Sequence, residues 1–256
     1  MSKPPIIALA WRRELHGVYV IAKKNVRLYY FRPPILIHGM LLPAFFFLVF
    51  VVARQAAVET AIPGILAMTL CFAASAVSPM VIPWERRSKT YERLISSPIS
   101  QSSIILGDVV AGACFGLLLV GVGLVLGLTL SDVRLARPGM LGWGLVLSAL
   151  CFGSLGVLLS APPTNNPSQI MMLCNLVRMP LIFISGVLVP LAEMPGWSRA
   201  LAPLSPLSYC GDVIRVAFGD EPYFPLWVDA AALVAFCLVF LLAARFFHRH
   251  ARAKAL

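Results

Sequence analysis

The residues that catalysis or metal binding requires are few in this sequence, and their spacing supports neither. Six cysteines are present, but no CxxC pair occurs, so neither a zinc site nor a redox motif is indicated. No lysine follows a glycine, so the chain has no GxxxxGK[ST] phosphate-binding loop, and it has no HExxH motif. A Ser–His membrane protease needs a buried, paired histidine, and His38 is badly placed for that role. The pattern predicts a protein that is not an enzyme and holds no metal or cofactor itself.

Two polar residues, Asn175 and Arg178, interrupt the fifth long apolar run. Arg178 lies roughly ten residues from the nearer end of that run, which is about 15 Å along a helix. A charge at this depth in a membrane is costly and normally faces protein or water. Two interpretations stay open. The pair lines a translocation path or gate, or Arg178 forms an intramembrane pair or caps a carbonyl and holds a kink at Pro180.

The stretch Pro83–Ser100 holds six of the 32 charged residues and separates two apolar runs. Glu85 and Lys89 are four residues apart and attract on a helix, whereas Lys89 and Arg93 repel. Ser-Ser-Pro at 96–98 is a helix stop. The stretch also offers apolar area of the kind that dominates interfaces: Trp84, Tyr91, Leu94 and Ile95. It is either a docking helix or a solvated loop whose arginines only set topology.

The elements that must position these residues follow from composition. The 256-residue chain is 59% hydrophobic and 12% charged, whereas soluble domains average about 25% charged residues. This composition predicts an all-α polytopic membrane protein with a single transmembrane domain over residues 1–256. Six apolar runs are long enough to cross a bilayer and predict six spans: Ile35–Ala53, Ala61–Ile82, Ser103–Leu130, Met140–Ser160, Ser168–Leu191 and Leu226–Phe247.

The basic residues are grouped beside the apolar runs, which explains the net charge of +10 without nucleic acid. Residues 1–34, the loop at 84–101 and the C-terminal tail together carry fifteen of the 21 Lys and Arg. The positive-inside rule places these segments, and both termini, in the cytoplasm of a multi-pass cell-membrane protein.

Residues 11–30 have the periodicity of an amphipathic helix that lies in the membrane interface, with lipid as a partner. One face is apolar and includes Trp11, Leu15, Val18, Ala22, Val26 and Tyr29. The other face carries the cations Arg12, Arg13, Lys23, Lys24 and Arg27, with His16. The helix is either a simple anchor or a connecting helix that also transmits motion.

Small residues in the third span indicate where membrane helices pack closely. Gly112 with Gly116, and Gly123 with Gly127, form GxxxG motifs in the third span, and small residues of this kind let membrane helices approach closely. Asp108, near the start of the same span, is expected to be solvated or to pair with Arg93.

Residues 192–218 are too long for a simple turn and too broken for a span. Two short helices are expected there, Ser198–Leu204 and Pro206–Phe218, as re-entrant or interfacial elements on the outer face. Trp197 and Tyr209 suit the membrane interface.

Three stretches resemble motifs of the membrane subunit of type-2 ATP-binding-cassette (ABC) exporters. They are WERRSKTYERLISSPISQSSIILGDVVAG at Trp84–Gly112, NLVRMPLIFISGVLVPLAEMPGW at Asn175–Trp197, and LAPLSPLSYCGDVIR at Leu201–Arg215. Each motif is loose alone, but the three occur in order at matching spacings. With the spans and the N-terminal helix, the resemblance covers nearly the whole chain.

The resemblance implies a homodimer of this subunit with two copies of a separate ABC ATPase, which binds ATP and Mg. The loop 84–98 would carry the coupling helix, with ATPase-docking residues Glu85, Arg86, Lys89, Tyr91, Glu92, Arg93 and Leu94. The interfacial helix would be a second contact, through Trp11, Arg12, Arg13, Lys23, Lys24 and Arg27. Asn175 and Arg178 would lie on the translocation path. Arg178 stands where the family is expected to be apolar, which would fit an anionic or amphipathic substrate.

Two other functions remain open on the sequence. One is a membrane scaffold or assembly protein that transports nothing. The other is an ion-coupled carrier or channel that needs no ATPase, although paired intramembrane carboxylates, which are typical of proton-coupled carriers, are absent.

Overall fold

A computed structural model describes residues 6–30, 58–90, 100–130, 135–162, 166–189 and 194–253, with isolated positions between these ranges. Within them the chain is helical and contains no strand. The helices are α1 (Ile6–Tyr29), α2 (Val58–Arg87), α3 (Gln101–Leu130), α4 (Pro138–Leu159), α5 (Pro167–Ile184), α6 (Gly196–Leu201), α7 (Pro206–Phe218) and α8 (Leu226–Ala253), with a 3-10 turn at Ala202–Leu204.

Five of these helices, α2, α3, α4, α5 and α8, are long and apolar enough to cross a membrane. The prediction of an all-helical fold is therefore confirmed for the described residues, and these five helices support the prediction of a multi-pass membrane protein. The predicted first span, Ile35–Ala53, lies outside the described ranges except for isolated positions. α2 and α3 each contain 30 residues, or about 45 Å, which exceeds the ~30 Å apolar thickness of a bilayer.

α2 is the central helix, because its residues between positions 62 and 83 are buried at almost every position. α3, α4, α5 and α7 pack around it, and α8 packs on the outside against α4 and α7. Phe72, Phe115 and Phe152 are among the largest fully buried side chains and come from α2, α3 and α4. The core of the protein therefore lies along α2.

Glycines allow α2, α3 and α4 to approach at backbone contact. A Cβ added at Gly112 would lie 2.4 Å from the carbonyl oxygen of Ala74, and one at Gly153 would lie 2.7 Å from that of Val109. At Gly123 and Gly127, by contrast, an added Cβ would make ordinary contacts of 3.4 and 3.5 Å. Of the two GxxxG motifs in α3, only Gly112 and Gly116 lie at close helix crossings.

The segment between α5 and α8 forms short helices, as the sequence predicts, and α7 has the predicted bounds. α6 with its 3-10 turn covers Gly196–Leu204, slightly longer than the expected Ser198–Leu204. α7 is buried along nearly its whole length because it fits among α2, α4 and α8.

The polar residues of the Leu201–Arg215 motif fix α7 in place through hydrogen bonds to backbone groups. The Ser205 hydroxyl donates to Leu181 O at 3.0 Å, and Arg215 Nη2 donates to Gly186 O at 2.9 Å, both at the end of α5. The two oxygens of Asp212 accept the backbone N–H groups of Tyr223 and Phe224, at 3.0 and 2.8 Å. Each bond satisfies a loop or helix-end group that helical pairing leaves free.

Candidate functional site

α1 packs along the first part of α3. Its contacts advance in the same order on both helices: Glu14 with Ser100 and Ser103, Ile21 with Gly107, Asn25 with Asp108, and Tyr30 with Ala111. Gly107 makes the close approach possible, since a Cβ there would lie 2.6 Å from the Cβ of Ile21. The two helices therefore run in the same direction, with α1 against protein over more than four turns.

An ion pair joins α1 to the end of α2. Lys24 Nζ bonds to Glu85 Oε1, and the Tyr29 hydroxyl lies 3.4 Å from the same oxygen. The ring of Tyr29 lies 6.3 Å from that of Trp84. Glu85 is only 4% exposed, so the loss of Lys24 would leave a nearly buried carboxylate without its counter-ion, which is strongly unfavourable.

A second polar contact joins α1 to α3. Asn25 Nδ2 donates to Asp108 Oδ1 at 2.6 Å, and both side chains are buried. Sequence reasoning expected Asp108 to be solvated or paired with Arg93, and that expectation is wrong because α1 covers this part of α3. One feature of the sequence could have indicated this contact. Asn25 follows Gly17 and Ile21 at four-residue intervals and so lies on the buried stripe of α1.

The first turn of α3 is tied to α1 by hydroxyl groups. The backbone N–H of Ser103 donates to Ser100 Oγ at 3.1 Å, which caps the helix. The hydroxyls of Ser100 and Ser103 both donate to the carboxylate of Glu14. These bonds lower the pKa of Glu14 below its ordinary value, so the group is ionised at neutral pH. We call the contacts of Glu14, Lys24, Asn25 and Tyr29 with α2 and α3 the α1 junction.

α2 ends at Arg87 in a turn that exposes cations. Lys89 has a positive φ of 57°, and its N–H donates to Arg86 O at 3.1 Å. The hydroxyls of Ser88 and Thr90 donate to Trp84 O and Glu85 O, at 2.9 and 3.2 Å, which satisfies the last carbonyls of the helix. We call the exposed side chains of this end the cationic turn: Arg87, Ser88, Lys89, Thr90 and Arg93.

The structure separates the predicted docking residues into two groups. Glu85 faces α1, and Arg86 Nη1 donates to Pro162 O at 2.7 Å beyond the end of α4, so both contact their own chain. Lys89 and Arg93 are exposed. Tyr91, Glu92 and Leu94 lie outside the described residues. The segment 84–98 is thus not one helix, because its first four residues complete α2 before the chain turns at Ser88 and Lys89.

The segment predicted as an interfacial helix is helical as part of α1, but its buried stripe is rotated from the predicted apolar face. Lys23 and Arg27 are exposed, with Lys23 Nζ 5.4 Å above the ring centre of Tyr19. Leu15, predicted on the apolar face, is 63% exposed. The side chains of Trp11, Arg12 and Arg13 lie outside the described set. Close packing at Gly107, rather than lipid, selects which face of α1 is buried.

Arg178 and Asn175 both lie on α5. Arg178 is fully buried, its Nη2 donates to Ser75 O of α2 at 2.6 Å, and its Cζ lies 5.5 Å from the centre of the Phe72 ring. Asn175 is half-buried. The arginine thus faces the core of its own chain.

Within the described residues, no group of three His, Cys, Asp or Glu side chains could hold a metal ion, and all six cysteines are free thiols.

Comparison with known proteins identifies the family. Residues 16–218 match the family described as ABC-2 type transporter. The chain is 27% identical over 165 residues to the putative transport permease ycf38 of Porphyra purpurea, covering 62% of this chain and 55% of the relative. It is 25% identical over 162 residues to nodulation protein J of Rhizobium meliloti (strain 1021), covering 60% and 58%.

The probable multidrug ABC transporter permease YbhR of Escherichia coli (strain K12) is 22% identical over 167 residues, covering 60% of this chain and 42% of the relative. The matches therefore span about half the length of these relatives.

Proposed function

The chain belongs to the ABC-2 type transporter family, and we propose that it is the permease subunit of an ATP-driven exporter. Its helices form the translocation path, and a separate ATPase subunit binds and hydrolyses ATP with Mg. Two copies of the chain assemble with two copies of that ATPase. The grouping of basic residues beside the apolar runs supports a cytoplasmic position for both termini and the cationic turn.

The observation that carries the proposal is the α1 junction beside the cationic turn. If the end of α2 served only to orient the chain in the membrane, it would need cations but no specific contact with another helix. Instead, Glu85 is buried against Lys24 and Tyr29, and the neighbouring Arg87, Lys89 and Arg93 are exposed. A force applied to the cationic turn would act on α2 and, through the ion pair, on α1.

Each cation of the turn has a definite role in this proposal. Exposed arginines and lysines at the rim of an interface steer a partner of opposite charge and set its orientation. The partner face on the ATPase is therefore acidic, and the apolar centre of the interface comes from the segment that follows Thr90. Lys23 and Arg27 of α1 face anionic lipid or the same ATPase beside it.

Co-purification tests the proposal. The tagged full-length chain, extracted from membranes of its own host in mild detergent, is expected to bring down an ABC ATPase in equal amount. The variant R87E/R93E is expected to reduce ATPase recovery about tenfold, because two rim contacts become repulsive. R245E, which reverses an exposed cation on α8, is the matched control and should recover the ATPase normally.

Two results would contradict the proposal. Co-purification of the wild-type chain with other membrane proteins, but with no ATPase, would indicate a scaffold. Ion flux in liposomes that contain the chain alone would indicate a self-sufficient carrier or channel.

A further inference from the structure

The central helix α2 contains a proline, Pro79, deep in its buried part. Proline has no N–H, so it cannot make the bond that an α-helix forms from residue i to the carbonyl of residue i−4. That carbonyl belongs to Ser75. In the apolar interior of a membrane protein an unpaired carbonyl is costly, and neighbouring helices normally supply a donor.

Water has no room to reach this carbonyl from the side of α4. A Cβ added at Gly156 would lie 2.7 Å from Ser75 O, which shows how closely the α4 backbone covers it. Ser75 itself is fully buried, and its hydroxyl bonds to Cys71 O within α2. With α4 closing this side of the carbonyl, a side chain of another helix can supply the donor for Ser75 O.

Arg178 of α5 supplies that donor. Its Nη2 lies 2.6 Å from Ser75 O. Its Cζ lies 5.5 Å from the ring centre of Phe72, one turn earlier on the same helix, where a cation over a ring is favourable. Among the described residues, Nε and Nη1 have no hydrogen-bond partner, so the Ser75 carbonyl is the protein group that fixes the guanidinium.

We propose that Arg178 is a positioning residue that replaces the N–H missing at Pro79 and so clamps α5 to the break in α2. Pro79 lies eight positions before Arg87, at the end of α2 that carries the α1 junction. A movement of this end reaches the missing backbone hydrogen bond at Pro79, and Arg178 transfers the movement to α5. The transfer step rests on the proposed function, whereas the clamp itself does not.

A thermal-unfolding cycle on the purified full-length chain in neutral detergent tests the clamp without any ATPase. R178M is expected to lower Tm by about 5 °C, because it leaves a buried carbonyl unpaired. P79A restores an N–H at position 79. Adding R178M to P79A should therefore lower Tm much less than adding R178M to the wild type does. The matched control is P83A/R178M, which restores the N–H of another proline in α2 and should regain nothing.

The clamp is overturned if R178M lowers Tm as much in the P79A background as in the wild type. It is also overturned if the P83A background reduces the Tm cost of R178M as much as P79A does. In the first case the guanidinium serves another acceptor, as a substrate-binding residue on the path would. Because ATPase binding plays no part in the cycle, failure here leaves the permease assignment standing, and failure to find an ATPase leaves the clamp standing.

Hydrogen exchange tests the transfer, which a merely structural role would not show. Breaking the α1 junction with K24M is expected to raise deuterium uptake about twofold in the α5 peptide around Arg178. The same K24M change in the P79A/R178M background should leave deuterium uptake of α5 unchanged. In that background α2 has its backbone hydrogen bond at position 79, but no arginine links it to α5. Equal increases in both backgrounds would contradict transfer through Arg178.

Discussion

Glu85 lies where the membrane helix α2 passes into the cationic turn, and its partner decides its role. A glutamate in a charged loop suits a contact with another protein equally well, yet here it pairs with Lys24 across 61 residues of sequence. Such a pair contributes little when exposed and matters more when one partner is buried. In the proposed exporter, Glu85 would therefore act on the ATPase indirectly, because it holds α1 against the end of α2.

Removal of one partner of this pair is expected to destabilise the protein. Glu85→Ala or Lys24→Met should lower the free energy of unfolding by about 2 kcal/mol, because each leaves a partly desolvated charge. The double variant K24M/E85A should lose less stability than the two single variants together. Denaturant unfolding in detergent measures the cycle. Lys23→Met, the exposed neighbour, is the control and should have almost no effect, and strict additivity of K24M and E85A would show that the pair contributes nothing.

Glu14 gives the α1 junction a pH dependence with a definite sign. Its pKa in the folded protein is lower than the ordinary value of 4.5, because Ser100 and Ser103 donate to the carboxylate. The contribution of ionised Glu14 to the stability of the folded protein is therefore fully present above pH 4.5. It is lost as the pH falls through the pKa that Glu14 has in the folded protein. The protection factors of the α1 amides, which correct for the slower intrinsic exchange in acid, should decrease below pH 4.5 in the wild type. Glu14→Gln should show the same lower protection already at neutral pH. An α1 that exchanges equally in wild type and E14Q at neutral pH would contradict this role.

At the scale of elements, close contact among helices depends on particular glycines of α3. Gly112 meets the backbone of Ala74 and Gly107 meets Ile21 of α1, whereas an added Cβ at Gly121 would have nothing within 4 Å. A backbone cannot yield as the end of a flexible side chain can. The three positions on one helix therefore differ in what they tolerate.

Alanine substitutions in α3 are expected to follow these contacts. Gly112→Ala should destabilise the protein by about 1–3 kcal/mol through overpacking. Gly121→Ala should be neutral or stabilising by up to ~1 kcal/mol, since alanine favours a helix. Gly107→Ala should increase amide exchange in α1 more than in α2. Thermal unfolding combined with hydrogen exchange distinguishes the three variants, and equal effects at positions 112 and 121 would refute the assigned packing.

The elements could largely be predicted because their signals are local. Apolar runs of sufficient length marked α2, α3, α4, α5 and α8, and Pro206 with the left-handed Gly219 bounds α7. The partners of polar residues could not be predicted. Asn25 and Asp108 are 83 positions apart, and Ser75 needs Arg178 only because Pro79 lies one turn after it. Which residues meet across helices depends on helix rotation and crossing, which periodicity alone does not fix.

At the scale of the whole molecule, polar contacts connect the end of α2 to several helices. Lys24 joins it to α1 and Arg86 joins it to the segment after α4, while Arg178 joins the middle of α2 to α5. Few side chains of α8 are buried, and His248 Nε2 lies 3.1 Å from Val157 O of α4. In the proposed exporter, α2 is the helix that receives the motion of the ATPase, and α1, α4 and α5 move with it.

Site-specific photo-crosslinking from the cationic turn tests the central proposal most directly. A photoreactive residue at the exposed Arg93 is expected to crosslink to an ABC ATPase in membranes of the native host. The same residue at Leu204, which is 64% exposed near the α6 turn at the opposite end of the fold, should not. A crosslink to the ATPase from position 93 alone is the predicted result. No ATPase crosslink from position 93, or an equal one from position 204, would contradict the assignment of this turn as the docking site of a separate motor.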